Sequence, residues 1–126
     1  ITHICCGYPD KIDVPNYPKA PLDSYKKIST KLNNSIIDTV SIEDAHRYNN
    51  LEFLQEFNKT KIILGLIKIA SSQIETVDQI VLRINKALQH ITKEQLIAAP
   101  DCGLGHLTRD LAIRKLKIMV EAAKNF

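Results

Sequence analysis

Four side chains that can bind a metal lie in or just after short apolar runs of this 126-residue chain. His3 and Cys5 share the first run two residues apart, a spacing that turns both side chains to the same side of a strand. Glu43 follows the second run, and Cys102 follows the fourth. Zinc accepts nitrogen, sulfur and oxygen donors, so the four residues are suited to a tetrahedral zinc site. Each also has a simpler interpretation, because a buried cysteine often packs as a small apolar residue and a glutamate after a strand is often solvated.

The elements that position these residues alternate between strand and helix patterns. Strands that alternate with helices at this spacing indicate parallel βα units in a single α/β domain over residues 1–126. Ligand sites of such folds collect at the carboxyl ends of the strands. The apolar runs predict strands over residues 2–6, 36–42, 62–67 and 96–99, and helices are predicted to begin near Pro21, Thr76 and Thr108.

Two of the helices carry further signals. Thr76 and Gln79 have the spacing of a capping box, in which each side chain accepts a hydrogen bond from the other residue's backbone. Basic residues within the last helix, such as Lys115, are predicted to face solvent. The apolar face of that helix is predicted to run through Leu116, Met119, Val120 and Ala123.

Chain length bears on which α/β architecture these units form. A (β/α)8 barrel takes about 250 residues, so four βα units in 126 residues would be half of one. A small open α/β sheet is the alternative. The chain opens on Ile1 directly in a strand pattern, which favours the half-barrel and a longer parent chain.

Composition excludes several classes of function. The 17 basic and 14 acidic residues are scattered, and with three Phe, four Tyr and no Trp there is no aromatic platform for stacking bases. We therefore expect no nucleic-acid partner. No window approaches the roughly 20 apolar residues of a membrane helix, and no secretory signal pattern is visible. Three cysteines, an odd number, do not make a disulfide framework, which favours the cytoplasm.

A few further polar residues lie close to the four candidates along the chain. Cys6 is predicted to pack in the core. His46 either contacts the site as a polar partner or lies on the surface, and His106 is predicted to lie on a loop rather than to bind a metal. Asp101 either orients a ligand or caps the last helix, and the cap is slightly favoured. Asp44 either orients His46 or is solvated.

Three segments together resemble a known enzyme family. The segments HICCGYPD (3–10), VSIED (40–44) and APDCGLG (99–105) are similar, in this order, to the C-terminal catalytic barrel of cobalamin-independent methionine synthase. They look closest to its short single-barrel relatives, often labelled methionine synthase II. The resemblance covers essentially the whole chain and implies the C-terminal half of a (β/α)8 barrel of the methionine synthase/uroporphyrinogen decarboxylase type. It also implies one zinc, held by His3, Cys5, Glu43 and Cys102.

The resemblance implies a methyltransferase as well. In the family, zinc binds the thiol of homocysteine and favours its thiolate, which is a strong nucleophile at neutral pH. That thiolate takes the methyl group of 5-methyltetrahydrofolate, often polyglutamylated, and gives methionine without cobalamin. Homocysteine and methyltetrahydrofolate are therefore the substrates that the resemblance implies.

Two departures from the family pattern leave alternatives open. The larger enzymes carry an Asp-Ile-His-Ser element whose histidine helps to protonate the departing folate, and here residues 68–71 read KIAS, with Ala70 in its place. Another methyl donor or another thiol is therefore one alternative. The family's groups for the amino-acid end of homocysteine, and most of its folate site, belong to the first half of the barrel, so no catalytic residue is assigned in this chain. The chain is expected to self-associate or to pair with a separate N-terminal half, or to be a zinc-binding remnant without activity.

Overall fold

The computed structural model describes residues 1–126 as four strands and three helices, with two short 3-10 helices between them. The predicted alternation of strands and helices is confirmed. In chain order the elements are β1 (Thr2–Ile4), α1 (Ser24–Asn33), β2 (Thr39–Ile42), a 3-10 helix (Leu51–Glu56), β3 (Lys61–Ile67), α2 (Val77–Ala87), a second 3-10 helix (Lys93–Gln95), β4 (Leu96–Pro100) and α3 (Arg109–Ala123).

The four strands form one parallel sheet in the order β1-β2-β3-β4. Strand neighbours in the sheet are thus neighbours in the chain, as in the wall of a barrel, whereas a doubly wound sheet reverses its strand order at a switch point. The pairing places His3, Ser41, Ile63 and Ile97 in one row across the sheet. The fold is therefore α/β with the arrangement of half a (β/α)8 barrel, as predicted.

The hydrophobic core lies between one face of the sheet and the helices. Strand residues alternate between the two faces, and the buried ones point to the helix layer. The core contains, among others, Val40, Ile42, Ile62 and Leu64 from the sheet and Ile80, Ile84, Met119 and Ala122 from the helices. On the opposite face, which would be the inside of a barrel, Ile97 is 40% exposed.

The predicted second strand is too long at its start. Ile36 is 99% exposed, and β2 begins only at Thr39. Ser35 accounts for the difference, because its backbone N–H and its hydroxyl both donate to the Leu32 carbonyl while the hydroxyl accepts from the Ile37 N–H. These local hydrogen bonds favour a turn over a strand, so the β-branched residues there lie outside the sheet.

The predicted faces of α3 are also partly wrong. Lys115 is fully buried and Val120 is 52% exposed, whereas Met119 packs in the core as expected. The helix begins after Thr108, whose side chain accepts from the Leu111 N–H. At α2, the capping box of Thr76 and Gln79 is present as predicted. No helix of the structure has the length and apolar composition needed to cross a membrane.

Candidate metal centre

Three of the four predicted ligands lie together at the carboxyl end of the sheet. One ligand atom each from His3, Cys5 and Cys102 forms a group in which all atoms are within 4.8 Å of one another. His3 and Cys5 come from β1 and the residues after it, and Cys102 follows β4. All three cysteines of the chain are free thiols. The sheet therefore brings together one imidazole and two sulfurs from positions nearly a hundred residues apart.

The fourth predicted ligand, Glu43, touches this group through Cys5. Its Oε1 accepts the Cys5 thiol at 3.0 Å and the Cys6 N–H at 3.1 Å, while its Oε2 accepts Lys19 Nζ at 2.9 Å. The carboxylate is 1% exposed. Burial raises the pKa of Glu43, but the hydrogen bonds from Lys19, Cys5 and Cys6 outweigh it and hold the pKa below its ordinary value. Glu43 is therefore an ionised oxygen donor beside a thiol.

Cys5 is a protonated thiol in this arrangement. Burial and the hydrogen bond to Glu43 raise its pKa to about 11. Its S–H points at a carboxylate oxygen, so a metal ion bound between the two would replace the proton, because a coordinated thiol is deprotonated. Two sulfurs, one imidazole nitrogen and one carboxylate oxygen are a donor set that zinc accepts. The residues present thus fit a zinc ion.

The segment after β1 turns sharply to reach Glu43. Gly7 has a φ of 97°, a left-handed conformation that favours glycine, and its N–H donates to Cys5 Sγ at 3.4 Å. The Gly7 carbonyl in turn accepts Lys19 Nζ. Lys19 thereby connects this turn to Glu43. Cys6 points the other way and packs in the core, as predicted.

His106 lies outside the group of metal-capable atoms. It lies on the loop before α3 and contacts the ring of Tyr8 edge to face, with 5.2 Å between ring centroids. Tyr8 Oη is in turn 3.8 Å from Cys102 Sγ. The loops after β1 and β4 therefore meet beside the sulfur of Cys102.

Asp101 does not cap the last helix, so that expectation is wrong. Its Oδ1 accepts the backbone N–H groups of Asp44 at 2.8 Å and Ala45 at 2.9 Å, and its Oδ2 accepts that of His46 at 2.7 Å. Thr108 caps α3 instead. Burial raises the pKa of Asp101 to about 6, against the lowering effect of the three N–H groups. Asp101 therefore orients the backbone that follows Glu43.

His46 joins two loops rather than lying on the surface. Its Nε2 accepts the Ala70 N–H at 3.0 Å, and its Nδ1 is 3.1 Å from Tyr17 Oη. Burial lowers the pKa of His46 to about 4, so the ring is neutral at pH 7. Because Nε2 is an acceptor, the single ring proton is assigned to Nδ1, which donates to the Tyr17 hydroxyl.

Both interpretations of Asp44 are wrong. Asp44 is buried and pairs with Arg83 of α2 through two hydrogen bonds of 2.5 and 2.6 Å, and the same carboxylate accepts from the Asn49 backbone and side chain. No pattern in the sequence marks Arg83, Lys19 or Tyr17 as neighbours of the site. The last two lie in an irregular proline-rich connection, which has no periodic pattern that indicates burial or contact.

The chain is similar to enzymes of one family. A family profile described as "Cobalamin-independent synthase, Catalytic domain" matches residues 22–125. The methionine synthase of Saccharolobus islandicus (strain Y.G.57.14) is 33% identical over 126 residues, which is 98% of this chain and 33% of that protein. The methionine synthase of Pyrococcus abyssi (strain GE5) is 36% identical over 85 residues, 67% of this chain and 25% of that protein.

A solved structure agrees with these sequence matches. It is that of a B12-independent methionine synthase from Shewanella sp. W3-18-1 in complex with selenomethionine. It superposes with a TM-score of 0.79 at 26% identity and covers 97% of this chain and 36% of that one. The chain thus spans about a third of the length of the relatives it matches.

Proposed function

The chain belongs to the cobalamin-independent methionine synthase family, and from this premise we propose that it is the metal-binding half of a methyltransferase barrel. The reaction is transfer of a methyl group from 5-methyltetrahydrofolate to the sulfur of homocysteine. The observation that carries the proposal is the convergence of His3, Cys5 and Cys102 within 4.8 Å, with Glu43 against Cys5. The related Shewanella enzyme holds selenomethionine, the selenium analogue of the proposed product.

The residues have distinct roles in this proposal. His3, Cys5, Glu43 and Cys102 would hold one zinc ion, and the chemistry that this ion would supply is a lower pKa of a substrate thiol, so that the thiolate forms at neutral pH. Lys19 holds the second oxygen of Glu43 and so directs the first oxygen, Oε1, toward Cys5. The free thiols that this ligand set needs persist in a reducing compartment, and we place the protein in the cytoplasm.

The methyl transfer also needs a proton. As the new sulfur–carbon bond forms, the bond between N5 of the folate and the methyl carbon breaks, and N5 keeps the electron pair and takes up a proton. The resemblance puts Ala70 where larger family members carry a histidine, and a methyl side chain cannot supply that proton. We therefore assign no proton donor in this chain.

Metal analysis of cysteine variants tests the ligand assignment. We expect about one zinc per wild-type chain, and loss of most of it in Cys5→Ser and in Cys102→Ser, because each variant removes a thiolate. Cys6→Ala is the matched control, since Cys6 neighbours a ligand but packs in the core. Unchanged zinc content in both serine variants contradicts the ligand assignment. Loss of zinc only in Cys6→Ala would mean that Cys6, and not Cys5, is the ligand.

X-ray absorption at the zinc edge tests whether the site can accept a substrate thiol. With saturating homocysteine, the number of sulfur neighbours at about 2.3 Å is expected to rise by one. A spectrum that does not change would identify a closed structural site. This measurement separates a substrate-binding metal from one that only stabilises the fold.

We further propose that the reaction needs four more strands. The sheet has an unpaired edge on β1 and another on β4, and edges of parallel strands tend to pair with other chains. A complementary N-terminal half, or self-association, would cover them. Methyl transfer should be weak for this chain alone and should rise on mixing with the N-terminal half of a related barrel. Full activity from a monodisperse 14.2 kDa monomer would contradict the need for four more strands.

Ala70 favours a second candidate function, which is alkyl transfer from a different donor or to a different thiol. A donor whose leaving group needs no protonation would not require a histidine at that position. Turnover assays that offer homocysteine with methyltetrahydrofolate, and in parallel with other methyl donors, distinguish the two. Turnover only with another donor favours the second candidate. A chain that binds zinc and turns over neither would be a metal-binding remnant.

A further inference from the structure

We propose that Asp101 is a positioning residue of the metal centre, which holds the backbone after Glu43 against the strand end that carries Cys102. The inference rests on the proposed metal centre. Asp101 is 1% exposed, and its two oxygens accept three consecutive backbone N–H groups, those of residues 44–46, at 2.7–2.9 Å. Its neighbour in the chain, Cys102, is one of the clustered sulfurs. One side chain therefore connects two of the proposed ligands.

The sheet alone cannot make this connection. Glu43 follows β2 and Cys102 follows β4, and β3 lies between these strands. Hydrogen bonds between neighbouring strands align β2 with β3 and β3 with β4, but none joins β2 to β4 directly. The Asp101 carboxylate crosses over β3 and reaches the end of β2. Asp101 thus sets the distance between Glu43 and Cys102 directly, whereas the hydrogen bonds of the sheet set it only through β3.

Gly65 provides the space for this crossing. A Cβ atom placed on Gly65 of β3 would lie 2.0 Å from Asp101 Oδ1 and 2.7 Å from Asp101 Cα. Both contacts are far inside van der Waals distance, and one involves backbone, so a side chain at Gly65 and the present position of Asp101 exclude each other. The Gly65 carbonyl also accepts the Ala45 N–H at 3.0 Å, beside the bond that this N–H makes to Asp101.

Two substitutions disturb this contact from opposite sides. Asp101→Asn keeps the shape but turns one acceptor oxygen into an NH2 group that faces a backbone N–H. Gly65→Ala keeps Asp101 but pushes its carboxylate away. Groups that orient metal ligands typically contribute 10–100-fold to metal affinity, so we expect each variant to bind zinc about 10- to 100-fold more weakly in competition with a chromophoric chelator. The visible spectrum of the Co²⁺-substituted protein should also change in band position, since the ligand geometry differs.

Asn33→Ala is the matched control for stability. Asn33 is also buried and also holds a loop, through bonds to Asn58, Lys59 and Thr60, but it belongs to α1 and bonds the loop that leads into β3, away from the metal-capable group. It should lower stability without changing the zinc affinity or the Co²⁺ spectrum. If Asn33→Ala weakens zinc binding as much as Asp101→Asn does, or if both site variants bind zinc like the wild type, the proposal is overturned.

Hydrogen exchange in the wild-type protein keeps the proposal testable even where a variant does not fold. The N–H groups of Asp44 and His46 follow β2 and donate to Asp101 rather than to a neighbouring strand, so they should exchange slowly because Asp101 holds them. The Ala45 N–H does not discriminate, because it also donates to the Gly65 carbonyl. Exchange at the rate of exposed loop amides refutes the contact. A wild-type chain that binds no zinc overturns the metal centre itself, whereas normal zinc binding with unaffected variants overturns only the role of Asp101.

Discussion

Lys115 offers a sharp test of how the fold holds the loop after β3. Its Nζ, on a fully buried side chain, donates to the carbonyls of Lys68 and Gln73 and pairs with the Glu75 carboxylate at 3.1 Å. Lys115→Met keeps the length of the side chain but removes the charge and all of these hydrogen bonds. Glu75 then remains as a carboxylate that is only 12% exposed and has lost its cation.

The loss of unfolding free energy in Lys115→Met follows from these contacts. Removing one partner of a buried ion pair costs about 3–5 kcal/mol. Glu75 is partly exposed and keeps the hydrogen bond that the Lys68 N–H donates to it at 2.8 Å. The destabilisation by Lys115→Met should therefore lie near the lower end of this range, at about 3 kcal/mol. For 126 residues the unfolding entropy is about 0.26 kcal/mol per kelvin, so the midpoint of thermal unfolding should fall by about 11 °C. Urea titration would show the same loss of unfolding free energy.

A double-mutant cycle shows whether the uncompensated charge is the cause. Glu75→Gln in the Lys115→Met background removes the buried charge, so the double variant should be more stable than Lys115→Met alone. Lys117→Met is the matched control, because Lys117 is exposed on the same helix, and it should change stability by no more than about 0.5 kcal/mol. If Lys115→Met behaves like this control, or if the two substitutions are additive, the reasoning is refuted.

Substitutions at two further positions have clear expected outcomes. The fold lowers the pKa of His46 from 6.5 to about 4, so the stability contributed by the neutral ring is full above pH 6.5 and is lost as the pH falls toward 4. In urea titrations, His46→Gln should therefore lose less unfolding free energy than the wild type between pH 7 and pH 5. An equal loss in both proteins refutes the lowered pKa of His46. The raised pKa of Asp101 acts in the opposite direction but is present in both proteins. Thr76→Ala removes the side chain that caps α2 and should lower the free energy of unfolding by about 1 kcal/mol. Thr76→Ser keeps the hydroxyl and should be as stable as the wild type, and an equally large loss in this variant would contradict the capping argument.

The elements of the fold follow from local periodicity. Two-residue and 3.6-residue apolar repeats are imposed by the geometry of strands and helices, so the four strands and three helices were predictable. Lys115 was not, because a lysine in a helix is normally solvated. Its burial depends on carbonyl and carboxylate groups of a loop 40 to 47 residues away, and no local pattern records them.

The site was predictable only as far as the strand ends specify it. His3, Cys5 and Cys102 are metal-capable residues at the ends of parallel strands, and the sheet brings them together. The sequence predicts the wrong role for Asp101 because an aspartate shortly before a helix has the chemistry of a cap, and only the tertiary structure shows that the N–H groups of residues 44–46 are its partners. These groups are about 56 residues away in the chain.

The charges around the metal-capable group give Lys19 a role that its position in the chain does not indicate. With Cys5 and Cys102 as thiolates and Glu43 as a carboxylate, the donors would carry one negative charge more than a divalent cation supplies. In the proposed zinc site Lys19, whose Nζ is 2.9 Å from Glu43 Oε2 and whose side chain is 17% exposed, would supply the compensating positive charge. Unpaired charge is costly to bury, so a site with a 1% exposed carboxylate needs such a partner. The proline-rich connection that follows β1 brings this lysine back to the turn at Gly7, where it would complete the charge balance of the proposed zinc site.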